Sequence, residues 1–344
     1  MSKYKKGEIL NKKLEVVKKL GNGCFGSVYL VKDINLGGKE LAVKVIEINF
    51  SNLHLVVNET RSLIKCADKN VVEIYSVDVD NDNGELYISM EYLSEGTLQT
   101  KITNDFLSSV EVVRFFIDVL FGLDCIHSKK LIHRDIKPDN ILLKNNRAVV
   151  SDLGLCSEKQ YCATSAFGYH THKAPETLSD QTINVATDIY SVGITMFRCL
   201  NNIEDWRNYL SKIKNIEKIF YSGNLTKHLI FNEYCPSKLK TIIRKAIDKN
   251  PKKRYQSSCE MREALTRLKP KILWKKVTDE LWLGDSCDSP DIYTLEIQSK
   301  RKTFLELKKN KRNCKISGQN KLEFDNKTDA LNYLYKYISE NSFY

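Results

Sequence analysis

Hydrophobic and polar positions alternate through the first ninety-odd residues, and then the rhythm changes. Leu14, Val16 and Val17 lead into Leu20, Gly21, Asn22, Gly23, Cys24, Phe25, Gly26, Ser27, Val28, Tyr29 and Leu30, which reads as a strand, a glycine turn and a second strand. Leu41, Ala42, Val43, Lys44, Val45 and Ile46 form a short apolar run with one lysine in it. That pattern predicts a buried strand with a functional interruption. Over 53–66, Leu55, Glu59 and Leu63 recur at four-residue spacing and predict one face of a helix. Residues 71–79 and 85–92 alternate as strands around Asn81, Asp82, Asn83 and Gly84, a strong hairpin turn.

Helices then dominate. Ser108, Ser109, Val110 and Glu111 read as a capping box opening a long amphipathic run through Phe115, Phe116, Val119, Leu120 and Leu123 to Ile126. A dense polar stretch with short strands covers 131–176. Further helices are predicted over 186–200 and 237–249, the latter stopped near Pro251. Past about residue 270 the texture changes again. Trp274 and Trp282 precede a polar loop, 293–297 and 303–307 alternate as strands, and 308–312 is a basic turn. Ala330, Leu331, Leu334 and Ile338 mark a closing helix. The expected class is α+β: a β-rich lobe with one helix (14–92), a helical lobe (93–268) and a small β-rich module closed by a helix (269–344). Residues 1–13 are set apart as an N-terminal extension. No internal repeat or low-complexity tract is found.

Composition changes this picture little. The chain has 344 residues, 42% hydrophobic and 28% charged, enough for one large two-lobed domain with an appendage or for two ordinary domains. No apolar stretch is long enough for a membrane span. The basic start is followed by no apolar core, which argues against a secretory signal, and no lipidation motif is found. Ten cysteines without paired CxxC spacing fit free thiols, so a soluble, reducing, cytoplasmic setting is expected. Cys24 sits in the glycine turn, where a small solvent-facing residue is the favoured reading and a redox-sensing thiol the alternative. The formal net charge of +11 suits acidic partners or nucleic acid, but the lysines are spread along the whole chain, which reads as a solvated surface.

The candidate chemistry lies in four places. Gly21, Gly23 and Gly26 are followed by a β-branched strand rather than a helix, so the turn joins two strands, and glycines there let the backbone approach phosphates. Lys44, inside an apolar strand, is costly unless paired, and Glu59 is the natural partner. The run Ile132, His133, Arg134, Asp135, Ile136, Lys137, Pro138, Asp139, Asn140, Ile141 packs carboxylate, lysine and amide between apolar segments. Val149, Val150, Ser151, Asp152, Leu153 and Gly154 form an apolar strand ending in a carboxylate. Asn140 and Asp152 offer the oxygen donors that Mg²⁺ prefers. Ala174, Pro175 and Glu176 follow about two dozen residues on.

In this order these elements resemble the eukaryotic-type (Hanks-type) serine/threonine protein kinase family over roughly residues 14–268. The resemblance implies the bilobal protein-kinase fold, with ATP and Mg²⁺ as cofactors and a protein substrate. It implies a transferase that phosphorylates Ser/Thr hydroxyls. Gly21, Gly23 and Gly26, with Leu20, Asn22, Cys24, Phe25 and Ser27 around them, would cover the ATP phosphates. Lys44 would contact the α/β-phosphates and pair with Glu59. Asp135 would orient the substrate hydroxyl and accept its proton, Lys137 would steady the γ-phosphate, and Asn140 and Asp152 would hold Mg²⁺. Met90 would precede the hinge, where the Glu91 and Leu93 backbones would bind adenine, and Val28, Ala42 and Leu142 would sandwich the ring. Leu63, Ile74, His133 and Leu153 would form a stacked apolar column. Glu176 would pair with Arg254, and Asp188 would anchor the catalytic loop.

Two stretches depart from the family pattern. Leu153 replaces the usual Phe after the metal-binding Asp. In Phe167, Gly168, Tyr169, His170, Thr171, His172, Lys173, Tyr169 and His172 stand where the Ser/Thr-specific pattern has Thr and Tyr. The Ser/Thr preference is therefore inferred mainly from Lys137. Arg134 is expected to receive an activation-segment phosphate, with Thr164 or Ser165 as autophosphorylation sites. Three competing readings are a pseudokinase scaffold, a small-molecule kinase, and nucleic-acid binding by the tail. Retention of Lys44, Asp135 and Asp152 argues against the first. Lys137 and the Glu176–Arg254 pairing argue against the second. The third can coexist with kinase activity. The module at 269–344 resembles nothing placed. It reads as a packing extension anchored by Trp274 and Trp282, or as a recognition module with Lys308, Lys309, Lys311 and Arg312 at a basic tip for nucleic acid or an acidic partner.

Overall fold

The computed structural model describes residues 3–23, 26–47, 64, 68–152, 172–179, 183–299 and 302–344. Strands β1 (Ile9–Leu10), β2 (Leu14–Gly23), β3 (Gly26–Asp33), β4 (Lys39–Glu47), β5 (Ile74–Asp80) and β6 (Glu85–Glu91) form an antiparallel sheet in the order β1-β2-β3-β4-β6-β5. Successive side chains of a strand point to opposite faces. On β4, Leu41, Val43 and Val45 therefore join Tyr29, Val31, Tyr87, Leu10, Leu14 and Val16 in one apolar cluster, while Ala42, Lys44 and Ile46 face the other way.

That outer cluster is covered by residues 3–10, which the sequence reading set apart. Gly7 N–H donates to Val16 O and Val16 N–H to Glu8 O, both at 2.8 Å. Tyr4 packs edge-on against Tyr29, centroids 5.8 Å apart. Its hydroxyl donates to the buried Glu85 carboxylate, which Lys3 pairs at 2.7 Å. Residues 3–10 thus pack on and pair with the sheet of the first lobe.

The second lobe is helical: α1 (Leu98–Asn104), α2 (Ser109–Ser128), α3 (Glu176–Ser179), α4 (Val185–Leu200), α5 (Trp206–Ser211), α6 (Ile216–Tyr221), α7 (Ser237–Ala246) and α8 (Ser258–Thr266), with the hairpin β7 (Ile141–Lys144) and β8 (Arg147–Val150). The Ser108–Glu111 capping box is present at the start of α2. Helix α4 is the axis of this lobe: every residue from Ala186 to Leu200 is buried.

Strands β9 (Ile272–Lys276), β10 (Leu281–Ser286), β11 (Ile292–Ser299), β12 (Thr303–Lys309) and β13 (Arg312–Cys314) form a meander, with β14 (Lys321–Phe324) also pairing β12. Helix α9 (Lys327–Asn341) lays Ala330, Leu334 and Ile338 on a core built from Trp274, Trp282, Leu295, Ile297, Leu305 and Leu307. This module docks on the helical lobe through Phe106, whose ring meets Trp282 edge-on at 5.1 Å, and Tyr234, 5.3 Å from the same indole. The last residues fold back beside the start of the module: Lys271 N–H donates to Ser342 O and Tyr344 N–H to Lys269 O, and Phe343 enters the helical-lobe core.

Candidate active site

The site lies where β4, the loop before β7 and the end of β8 meet. Lys44 is 2% exposed, opposite Val28 on β3 and Ile88 on β6. A buried ammonium needs a partner. Among the described residues it is the carboxylate of Asp152, an ion pair linking the two lobes. Burial pushes the Asp152 carboxyl up, but the charge and hydrogen bond of Lys44 outweigh it and hold the group below the usual carboxylate range. Glu59, the partner expected from the sequence, lies outside the described residues.

Asp135 sits in a ring of nitrogen donors. Lys137 Nζ donates to its Oδ2 at 2.6 Å and Asn140 Nδ2 to the same oxygen at 2.9 Å. Asn140 Nδ2 also donates to Asp135 O at 2.8 Å, so this amide is oriented with Oδ1 left over. Asn140 is tied in turn to the strand that carries Asp152: Ser151 N–H and Oγ both donate to Asn140 O, at 2.9 and 3.0 Å. His133 Nε2 donates to Ser151 O at 3.0 Å, which leaves Nδ1 to accept the Asp135 N–H at 3.3 Å.

The backbone here is bent into unusual conformations. Arg134 and Asp152 have φ of 70° and 54°, in the left-handed region that non-glycine residues seldom occupy. Asp188, fully buried on α4, accepts from the N–H groups of His133 and Arg134, both at 2.8 Å. His127 Nε2 donates to the same carboxylate at 2.8 Å, and its Nδ1 accepts from Ser258 Oγ at 2.9 Å. Tertiary hydrogen bonds of this kind are what hold strained backbone at functional sites.

Gly23 and Gly26 pair across the β2–β3 hairpin, and Ser27 Oγ donates to Asn22 Oδ1 at 3.0 Å. A β-carbon on Gly26 would lie 2.0 Å from Val45 O, so the hairpin can lie this close to β4 only with glycine there. Cys24 and Phe25 lie outside the described residues. Gly21, Asn22 and Leu20 are exposed. Ala42 lies opposite Met90, and Val28, Met90 and Leu142 are half-buried. Glu91 N–H donates to Glu73 O, and its carboxylate meets Lys144 at 2.6 Å. Leu93 follows on the half-buried segment between the lobes. Of the apolar column, Ile74 and His133 are described, while Leu63 and Leu153 lie outside the described residues, as do Thr164, Ser165 and the 167–171 stretch.

The far end of the site is held by the Arg254 fork. It meets Glu176 bidentately, at 2.6 and 2.9 Å, and donates to Ala186 O and Asp248 O. Sequence reasoning missed a second buried pair. His172 accepts from Arg198 Nη1 at 3.2 Å, and Arg198 Nη2 donates to Gln99 Oε1 at 2.7 Å. Burial, with the Arg198 charge beside it, lowers the His172 pKa well below the ordinary histidine value. The signal available was the departure at His172 itself: an imidazole where the family pattern has a phenol.

The model of the protein kinase domain matches residues 14–266. The chain belongs to the protein kinase family. It is 28% identical over 265 residues to the probable serine/threonine-protein kinase PknB of Lactococcus lactis, covering 74% of this chain and 42% of that protein. It is 30% identical over 248 residues to the serine/threonine-protein kinase Nek11 of Homo sapiens, covering 68% and 37%. With shk2 of Schizosaccharomyces pombe the figures are 27% over 269 residues, 65% and 45%. The chain therefore spans less than half the length of these kinases. No helix among the described residues is long and apolar enough to cross a membrane.

Proposed function

We propose that this kinase domain transfers the γ-phosphoryl group of ATP to serine or threonine hydroxyls of proteins, with Asp135 as the catalytic carboxylate. The observation that carries this is the double hold on one oxygen of Asp135. Lys137 and Asn140 both bond Oδ2, which leaves Oδ1 for an acceptor hydroxyl and its proton. The Lys137 ammonium, fixed beside that carboxylate, is a charge available to offset the transferred phosphoryl group.

The donor set fits Mg²⁺. Asn140 commits its Nδ2 to Asp135 and keeps an amide oxygen, and Asp152 keeps a carboxylate oxygen beyond the one paired with Lys44. Asn140 and Asp152 would hold Mg²⁺, whose positive charge would offset the negative charge of the nucleotide phosphates. Lys44 would bind the α/β-phosphates and be positioned by Glu59, and Gly21, Gly23 and Gly26 would lie over them. Val28, Ala42, Met90 and Leu142 would enclose adenine between the lobes, with the Glu91 and Leu93 backbones at its edge. Residues 14–268 would be the catalytic unit, and 269–344 a module packed on its helical lobe.

The test is ATP turnover with generic protein acceptors for wild type, Asp135→Asn and Lys44→Ala. Both variants should lose nearly all activity while staying folded, and variants that match wild type would refute the reading. Autophosphorylation at Thr164 or Ser165 is part of the proposal. Mass spectrometry of protein incubated with and without ATP should find phosphate there, and an unmodified segment in a fully active enzyme would remove that part.

A further inference from the structure

Away from Asp135, the helical lobe carries a cavity of about 530 Å³ along α6, lined by Lys214, Lys218, Lys227 and His228 around Ile219 and Ser222. None of the three lysines has an ion pair among the described residues. The surrounding chain offers little compensation. Residues 204–233 hold Arg207, Lys212, Lys214, Lys218 and Lys227 against Glu204, Asp205, Glu217 and Glu233, none of which lines the cavity. Asp205 is occupied as the cap of α5, accepting from Asn208 N–H at 2.9 Å. A further cation stands at the rim, where Lys249 Nζ donates to Ser222 O at 2.6 Å.

The C-terminal module shows what a compensated lysine surface looks like in the same chain. There Lys309 pairs Asp291 at 2.7 Å, and Lys321 and Lys327 meet Glu306 and Glu280. Among the described residues the lysines along α6 have no such partners. Ile219 lines the cavity beside them, and lysine stems can cover apolar surface while the ammonium groups stay in water. Tyr221 and Ile230, 62% and 78% exposed, are large apolar side chains in the same segment.

The cavity also adjoins the catalytic half of the lobe. Gly223, next to Ser222, has φ of 69°, and a β-carbon on it would lie 3.2 Å from Pro175 Cβ. Pro175 immediately precedes Glu176, the residue clamped by Arg254. A chain bound along α6 is therefore anchored beside the segment that leads back to the site.

We propose that this cavity docks an acidic segment of the protein acceptor, its carboxylates met by Lys214, Lys218 and Lys227 and its apolar side chains by Ile219. The proposal rests on the phosphotransfer reading for the word acceptor alone, because the binding it claims is measured without turnover. The probe is a fluorescein-labelled oligoglutamate peptide with one central leucine, titrated onto the full chain. Lys214→Glu/Lys218→Glu/Lys227→Glu should weaken binding at least roughly tenfold, and the wild-type affinity should fall with added salt. Lys5→Glu/Lys6→Glu/Lys12→Glu, which changes the net charge equally on the other lobe, should bind as wild type does. The corresponding Lys→Ala triple at α6, with melting temperature as a folding check, should weaken binding in the same direction. With an acidic protein acceptor the α6 variants should raise KM and keep kcat, and with a short neutral peptide they should change neither. No binding by wild type, or equal losses in the α6 and N-lobe variants, would overturn the proposal. A chain that binds the peptide but transfers no phosphate would overturn the function proposed above instead.

Discussion

The carboxylate of Asp188 accepts the backbone N–H of Arg134 at 2.8 Å and so holds a residue whose φ of 70° is otherwise unfavourable. The same side chain takes the His133 N–H and the His127 imidazole. One buried anion thus spans α4, α2 and the loop that carries Asp135. Removing it leaves three buried donors without their acceptor, and hydrogen bonds to charged groups are worth about 1.5–3 kcal/mol each. Asp188→Ala should cost about 3 kcal/mol or more in stability, read as a lower denaturation midpoint. Asp188→Asn keeps the shape but must turn an amide toward donors. It should cost less and still slow turnover, through misplacement of Asp135.

Lys44 and Asp152 make a different kind of link, because the pair joins the lobes and both partners belong to the proposed nucleotide site. Lys44→Met keeps much of the stem and leaves the Asp152 carboxylate without its counter-charge. With that counter-charge gone, burial dominates and the carboxyl pKa rises. Turnover should fall by about 10²–10³, the usual loss when one preorganised charge donor is removed, and steady-state kinetics would measure it. Asp152→Asn should abolish the Mg²⁺ dependence of nucleotide binding and, by leaving the buried Lys44 ammonium without its counter-charge, should also lower the melting temperature of the nucleotide-free protein. Calorimetry of ATP binding with and without Mg²⁺ would check this.

His172 gives a pH signature. Its ring is 6% exposed, accepts from Arg198 and lies 5.5 Å from the Trp206 ring. The folded pKa is well below the ordinary value, so between that value and about pH 6.5 the unfolded chain binds a proton that the folded chain refuses. Stability rises with pH wherever the unfolded state holds more protons. This contribution is therefore complete above about pH 6.5 and is lost as pH falls below it, by up to about 1.4 kcal/mol per unit. His172→Gln should flatten the fall in melting temperature between pH 7 and pH 5 relative to wild type.

What could be read from the sequence was whatever a local pattern encodes. Lys44 stood out because it interrupts an apolar strand. Ser108 and Glu111 announced their helix by spacing, and Ala330, Leu334 and Ile338 announced theirs by four-residue recurrence. What could not be read depends on partners far along the chain. Tyr4 meets Glu85, 81 positions away, so no local pattern marks residues 3–10 as the cover of a sheet. His127 at the end of α2 carries no local mark of its bonds to Asp188 and Ser258. The basic run at 308–312 also reads differently in three dimensions. Lys308 lies within 4 Å of Glu296 and Glu306, and Lys309 pairs Asp291, so among the described residues two of the four cations of the expected basic tip already face carboxylates. Charge runs are legible in a sequence, but the cross-strand carboxylates that cancel them are not.

Trp282 decides how far the C-terminal module depends on the kinase domain. Its indole is 1% exposed in the module's core and meets Tyr335 of the module and Phe106 and Tyr234 of the helical lobe. Truncating a buried aromatic of this size costs about 3–5 kcal/mol. An indole used only inside the module would leave Phe106 uncoupled from it, and Trp282→Ala and Phe106→Ala would then add. An edge-on pair 5.1 Å apart is instead worth about 0.5–1.5 kcal/mol beyond its buried area, so the two substitutions together should cost less than their sum by about that amount. A chemical-denaturation double-mutant cycle reads this coupling directly. Strict additivity would show that the module merely abuts the lobe. Measurable coupling would mean that one cooperative unit extends from Asp135 to the chain end, where Tyr344 N–H closes on Lys269 O.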